Sequence, residues 1–349
     1  MLQTLLLRNF RNYKEETLTF SPKKNLIFGE NAQGKTNLIE AISLVTTGRS
    51  HRTSHLTECI AFDESFFYLE ALFIKDGVEQ TVKLYYSRAK RSLTIDGKTR
   101  SSFSPLIGIN PSVLHTPNDL LLITSTPSLR RKLFDLHISS HDRDYLFALI
   151  RYYKAKKQRD HLLKTKIVDA IDCFEEQMSD YAKVIKTKRE AMIDQLQPYF
   201  SSFAQKLLCN QNLKISFLPS ASDTLLQLLQ SNRQKEMILG STLQGPHRDD
   251  FAFSIEDKLA KAFASEGQKR ACILALRLAE YQRLKTYSKN LLFCIDDMAT
   301  HFDPKRQERL KEVLEDLDQV ILTLPDPDTK LAIADKKFLV TSGRVEACS

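Results

Sequence analysis

Three short stretches carry residue types and spacings suited to phosphate chemistry. Residues 25–37, NLIFGENAQGKTN, run from an apolar strand through G-x-x-x-x-G-K-T into a helix, the context a Walker A loop requires. Such a loop would wrap phosphates with Gly29, Glu30, Asn31, Ala32, Gln33, Gly34, Lys35, Thr36 and Asn37, mainly through backbone N–H groups. Lys35 would reach the β- and γ-phosphates as the catalytic cation, and the Thr36 hydroxyl would ligate Mg²⁺. In residues 291–297, LLFCIDD, an apolar strand ends on Asp296 and Asp297. At the carboxyl edge of a parallel sheet Asp296 would meet the metal. Asp297 would then stand where a general base or water-positioning group belongs.

The third stretch, residues 263–271, is FASEGQKRA. Ser265, Gly267 and Gln268 sit at the start of a helical pattern, where free N–H groups favour an anion. A plain serine N-cap explains the same residues. A fourth candidate is electrostatic. Between Arg143 and Lys166 the chain carries Arg151, Lys154, Lys156, Lys157, Arg159 and Lys164 against Asp144 and Asp160, with Tyr152 and Tyr153 interleaved. Such a face suits phosphate contacts blind to sequence, or it is simply a solvated helix. The net charge of +8 leans toward a polyanionic partner but is modest for 349 residues.

These residues need elements to hold them. The first hundred or so residues read mainly as strands (LQTLLLRNF, NLIFGE, FFYLEALFI, TVKLYYSR, SLTIDGK), interrupted by one helix, KTNLIEAISLVTT, that Gly48 can end. Residues 128–212 are charged and helical in period, with Pro198 breaking the pattern before YFSSFAQKLL. After residue 240 the mixed pattern returns with the helix EGQKRACILALRLAEYQRLK, the strand NLLFCID, the helix PKRQERLKEVLEDL and the closing strands QVILTL and KFLVTSGRV. The simplest architecture is an α/β domain built from both chain ends, residues 1–125 and 240–349, with a mainly helical insertion at 126–239. The six cysteines and eight histidines lack metal-ligand spacing, so the thiols are expected to be reduced and mostly buried. No run of about 18 apolar residues and no signal-peptide pattern occurs, and a cytoplasmic location is expected.

The order Walker A, ASEGQ, Asp-Asp, then THFD with Asp303, resembles the ABC-type ATPases, in which ASEGQ stands at the signature loop and THFD at the D-loop. The resemblance narrows further. LLLRNFRNY, GENAQGKTN, TPNDLLLITSTPSLRRKLFD, GPHRDDF and SEGQKR, in order from residue 2 to about 323, resemble the RecF family of bacterial recombination and gap-repair ATPases, relatives of SMC heads. The resemblance implies an ABC/SMC-type P-loop ATPase head using ATP and Mg²⁺, with weak DNA-stimulated turnover. It implies an ATP-dependent homodimer in which Ser265 of one subunit binds the γ-phosphate held by the other. It also implies binding to gapped DNA and junctions of single and double strands, and loading of RecA with RecR and, in some settings, RecO.

Several positions depart from the pattern. Ala32 replaces a glycine frequent in SMC-type loops, His301 stands where an acid is usual, and Lys269 occupies a position more often glutamine. Thr323 takes the place of a transporter switch histidine, and no Q-loop glutamine is evident. Asp297 is one methylene shorter than the usual glutamate, so slow hydrolysis is expected. In GPHRDD, His247 and Arg248 are candidates for DNA or nucleotide contact, oriented by Asp249 and Asp250, or the motif is a rigid turn. The competing readings are a transporter ATPase subunit, an SMC-like head, and a nucleotide-dependent scaffold without turnover.

Overall fold

The computed structural model describes every residue except 167, 209–210, 222–223, 298–303, 330 and 349. His301, Asp303 and Cys209 therefore lie outside the described residues. The chain divides into two compact units, residues 1–119, 206–209 and 274–349 in one and residues 120–205 and 210–273 in the other. Residues 240–273, expected with the C-terminal part of the head, pack with the helical segment. No helix among the described residues is long and apolar enough to cross a membrane.

The first unit holds two sheets. One is antiparallel, in the order β2-β1-β4-β5-β6-β7, from β1 (Leu2–Phe10), β2 (Tyr13–Thr19), β4 (Phe66–Lys75), β5 (Val78–Ser87), β6 (Arg91–Ile95) and β7 (Lys98–Arg100). Residues along β4 alternate between buried and half-buried, as a sheet covered on one face requires. The two-residue turns Asp76–Gly77 and Asp96–Gly97 both take left-handed φ values, the geometry that joins twisted strands tightly.

The other sheet runs β15-β14-β3-β13-β12-β8, from β3 (Lys24–Phe28), β8 (Ser112–His115), β12 (Leu292–Ile295), β13 (Gln319–Leu324), β14 (Lys336–Thr341) and β15 (Arg344–Cys348). All neighbours are parallel except the edge pair β14–β15. Every residue of β12 and β13 is buried, which explains their unbroken apolar sequences. Helix α1 (Lys35–Thr47) contributes Leu38, Ile39, Ala41, Ile42, Leu44 and Val45 to a core shared with both sheets, and Gly48 ends it in a left-handed cap. Gln319 joins the sheets directly. Its side chain accepts from the Leu2 N–H and donates to the Leu2 carbonyl, both at 2.7 Å.

The second unit comprises α2 (Leu121–Thr124), α3 (Pro127–Ser139), α4 (Arg143–Thr165), α5 (Ile171–Leu207), α6 (Leu225–Ser231), α7 (Arg233–Leu239) and α8 (Ala260–Phe263), with the sheet β9 (Leu213–Leu218), β10 (Asp250–Ile255) and β11 (Lys258–Leu259). α9 (Glu266–Lys285) runs from this unit into the first, which also holds α10 (Pro304–Glu315). Pro198 does not end α5; it is an exposed residue within one continuous helix. Exposure lets water serve the carbonyl that loses its N–H partner there.

Two fully buried arginines knit the helices together. Arg189 on α5 pairs with Asp135 of α3 and Asp249, each at 2.7 Å, and donates to the Tyr145 hydroxyl on α4. Arg159 on α4 pairs with Glu175 of α5 at 2.9 Å and Glu236 of α7 at 2.6 Å. Arg159 is thus an internal brace and not part of a DNA face, a correction that follows from its complete burial. Truncating it leaves Glu236 buried without its countercharge. Arg159→Met should lower unfolding stability by about 3–5 kcal/mol, whereas the exposed Lys157→Met should stay within about 0.5 kcal/mol of wild type; denaturant unfolding followed by circular dichroism checks both.

Candidate functional site

β3 carries the chain into residues 29–34, where Gly29, Ala32 and Gly34 have φ of 143°, 65° and 128°. The glycines are required by contact as well as by φ. A Cβ at Gly29 would lie 2.4 Å from the Val340 carbonyl oxygen, and one at Gly34 would lie 2.7 Å from the Tyr13 hydroxyl. Ala32 takes the left-handed conformation with a side chain, which explains why glycine suits that position. No side chain caps α1, so the N–H groups of its first turn have no side-chain competitor for an anion. Lys35 is buried, and its ammonium donates to the carbonyls of Gly29 at 2.7 Å and Glu30 at 2.8 Å. Burial pulls its pKa below the usual lysine value, against the opposing pull of Asp297 and Asp296.

The loop is gripped from outside by residues the sequence reading did not assign to the site. Asn12 donates to the Gln33 carbonyl at 2.7 Å and accepts from the Asn37 amide at 2.8 Å, while the Tyr13 hydroxyl donates to the Gly34 carbonyl at 3.0 Å. Arg11, in the same β1–β2 turn, forms a bidentate pair at 2.8 Å with Glu40, a buried acid of α1. From the β14–β15 turn, Gly343 N–H donates to the Gln33 carbonyl at 3.0 Å and Ser342 N–H to its side-chain oxygen at 2.6 Å. Gln33 thus spends its side-chain oxygen on the shape of the loop. The N-terminal RNFRNY segment is the cradle's clamp.

β13 separates β3 from β12, and this places Asp296 beside Thr36. The Thr36 hydroxyl donates to Asp296 Oδ1 at 3.1 Å and the Thr323 hydroxyl donates to the same oxygen at 2.8 Å. Thr323 also accepts from the Asp297 N–H at 2.8 Å, so one hydroxyl fixes both acids. Asp297 itself has a left-handed φ of 43°. The sequence signal for Thr323 was available: a hydroxyl inside a wholly buried strand must find a partner. Lys35, Thr36, Asp296 and Asp297 therefore converge. A hydroxyl, a carboxylate and a lysine around a glycine-lined loop fit a Mg²⁺-bound nucleoside triphosphate in donor chemistry.

Ser265 lies in the other unit, exposed ahead of α9. Its N–H donates to Gln268 Oε1 at 2.8 Å, and the Gln268 N–H donates to Ser265 Oγ at 3.3 Å, a reciprocal capping box. The N-cap is real, and it leaves the Gly267 N–H in the first turn beyond these two bonds.

GPHRDD forms a short turn, and among the described residues its acids pair with arginines outside the motif. Asp249 is taken by Arg189, and Asp250 by Arg130 at 2.7 Å, while Arg248 is exposed. The His247 imidazole accepts from the Tyr152 hydroxyl at 2.8 Å through Nδ1 and donates through Nε2 to the Thr242 carbonyl. Burial pushes its pKa down to about 4, consistent with this neutral tautomer. On α4, Lys156 is tied to Asp160, and Tyr152 is buried. Arg151, Lys154 and Lys157 remain exposed.

Burial raises the Asp296 pKa, with the two threonine hydrogen bonds opposing. A raised folded pKa contributes stability that is full below the unfolded value and lost as pH rises through the folded one. At neutral pH the buried carboxylate is therefore a liability. Asp296→Asn should raise the stability of the nucleotide-free protein at neutral pH by on the order of 1 kcal/mol, an advantage that fades in acid; thermal unfolding at both pH values measures it.

The chain resembles known proteins over its whole length. The RecF/RecN/SMC N-terminal domain family matches residues 1–343. A DNA replication and repair protein RecF from Protochlamydia amoebophila is 40% identical over 353 residues, covering 97% of this chain and 98% of that one. One from Chlamydia abortus is 36% identical, covering 98% and 96%. A solved structure of the recombination mediator protein RecF with ATP, in the RecFOR pathway, matches with a TM-score of 0.92 at 30% identity, covering all of this chain and 97% of that one. An Smc head bound to the C-terminal winged-helix domain of ScpA matches with a TM-score of 0.63 at 17% identity, a likeness of fold. With its ABC/SMC-type head fold, the chain belongs to the RecF family.

Proposed function

We propose that the protein is an ATP-dependent DNA-binding protein of recombinational gap repair with weak DNA-stimulated ATPase activity. The observation that carries this reading is the convergence of Lys35, Thr36, Asp296 and Asp297 around the loop 29–34. The solved RecF with ATP supports the choice of nucleotide. Backbone N–H groups of the loop and of the first turn of α1 would receive the phosphate oxygens. Lys35, now held by two loop carbonyls, would exchange them for β- and γ-phosphate oxygens. Mg²⁺, held by Thr36 and Asp296, would neutralise phosphate charge. Asp297 would orient and deprotonate the attacking water, and its short side chain favours slow turnover.

Ser265 stands outside the unit that carries this cradle, and its role follows from the family resemblance. Two copies would each close the other's site, with the partner's Ser265, Gly267 and Gln268 set against the γ-phosphate. DNA at gaps and junctions of single and double strands would contact exposed cations, including Arg151, Lys154 and Lys157 on α4. RecR and RecO are the expected partners in loading RecA, since the homologue of known structure is described within the RecFOR pathway.

Sizing chromatography with gapped-DNA binding tests the reading. Wild type should dimerise on addition of ATP and Mg²⁺. Ser265→Arg should abolish dimerisation while leaving nucleotide binding by the monomer within about twofold. Normal ATP-dependent dimerisation of that variant would rule out the shared site.

A further inference from the structure

Burial and pairing take Arg159 and Lys156 out of the basic run on α4. Free cations also gather in the first unit. In the first unit, the segment spanning the end of β5, all of β6 and β7 carries Arg88, Lys90, Arg91, Lys98 and Arg100. All five are exposed. None forms an ion pair among the described residues, in contrast to Lys156 and Arg159. The one acid in the segment, Asp96, is occupied by the neighbouring strand β5, accepting from the Thr81 N–H at 2.9 Å and the Gln80 amide at 3.3 Å.

The register gathers three of these cations on one face. Arg100 pairs with Leu93 and Lys98 with Ile95, and Arg91 lies two residues before Leu93. Alternation therefore puts Arg91, Lys98 and Arg100 on the same side of the sheet as the buried Leu93, as an exposed margin to the core face. The opposite side carries Thr94 and Thr99, whose hydroxyls bond each other at 3.2 Å. β7 is the last strand of its sheet, so this row lies along an open edge.

We infer that the β6–β7 edge is a second nucleic-acid contact, gripping the phosphate backbone of duplex DNA without reading its sequence. The inference rests on the DNA-binding reading above and extends it to a surface on the other unit. Duplex is favoured over single strand because no aromatic ring stands among the exposed residues of the hairpin to stack an unpaired base. The row has no apolar residue exposed beside it that would enter a lipid surface.

The test uses the full chain with ATP and Mg²⁺, a labelled duplex, and a salt series. The triple variant Arg91→Gln, Lys98→Gln, Arg100→Gln should reduce the slope of log K against log salt by about 2.7, three contacts at about 0.9 each, and weaken binding more than about tenfold at low salt. A double variant, Arg88→Gln with Lys90→Gln in the connecting loop, should lower the slope by about 1.8 and guards against a folding defect in the edge strand. Arg151→Gln, Lys154→Gln, Lys157→Gln is run in parallel. If only the helix variant loses slope, the edge assignment is wrong and DNA binding stands. If the edge variants keep the wild-type slope but self-associate, the charges protect an open edge and the inference fails. Should wild type bind anionic vesicles but no duplex, the DNA reading and this inference fall together.

Discussion

The site depends on a loop that cannot hold its own shape. Residues 29–34 turn through three left-handed φ values, one at an alanine. At Ala32, which has a side chain, this conformation costs on the order of 1–3 kcal/mol and persists only where the surroundings over-determine it. Here they do. The Gln33 carbonyl receives two donors, one from the β1–β2 turn and one from the β14–β15 turn, and the Gly34 carbonyl receives the Tyr13 hydroxyl. Those turns are themselves fixed, the first by Arg11 on the buried Glu40 and the second by a two-residue left-handed turn at Ser342–Gly343. The two sheets of the first unit serve, in effect, to bring these clamps to the loop.

The acids show the complementary problem. A buried carboxylate is unfavourable unless hydrogen-bonded, and a metal-binding carboxylate must not be neutralised by a permanent cation. Two threonine hydroxyls reconcile these demands for Asp296. They donate to one oxygen and carry no charge, and burial still leaves the pKa raised. This explains why a threonine can stand at the position of a switch histidine and be used. Thr323 orders both acids through one hydroxyl.

The readable parts of the sequence were those in which function follows from local order. The Walker A loop, the Asp-Asp strand end and the helix after Ser265 each lie within a dozen or so residues, and each was placed correctly along its element. The clamps were unreadable because their partners are remote: Asn12 meets Gln33 across 21 residues and Ser342 meets it across 309. Arg159 was readable but misread. The buried positions Ala148, Tyr152, Ala155, Arg159 and Leu163 recur at helical spacing, so the charge run contained an internal stripe that passes through the arginine. Counting cations concealed that periodicity.

The same counting overlooked the β6–β7 edge, whose five cations are interleaved with strand residues and an Asp-Gly turn. What separates a useful cation from a structural one is whether a carboxylate already holds it. In the second unit the largest buried charges, Arg159 and Arg189, are held by acids from several helices and set the packing. The edge cations and the exposed cations of α4 have no such assignment in the fold. Packing has therefore sorted the basic residues of this chain into internal braces and free surface charge.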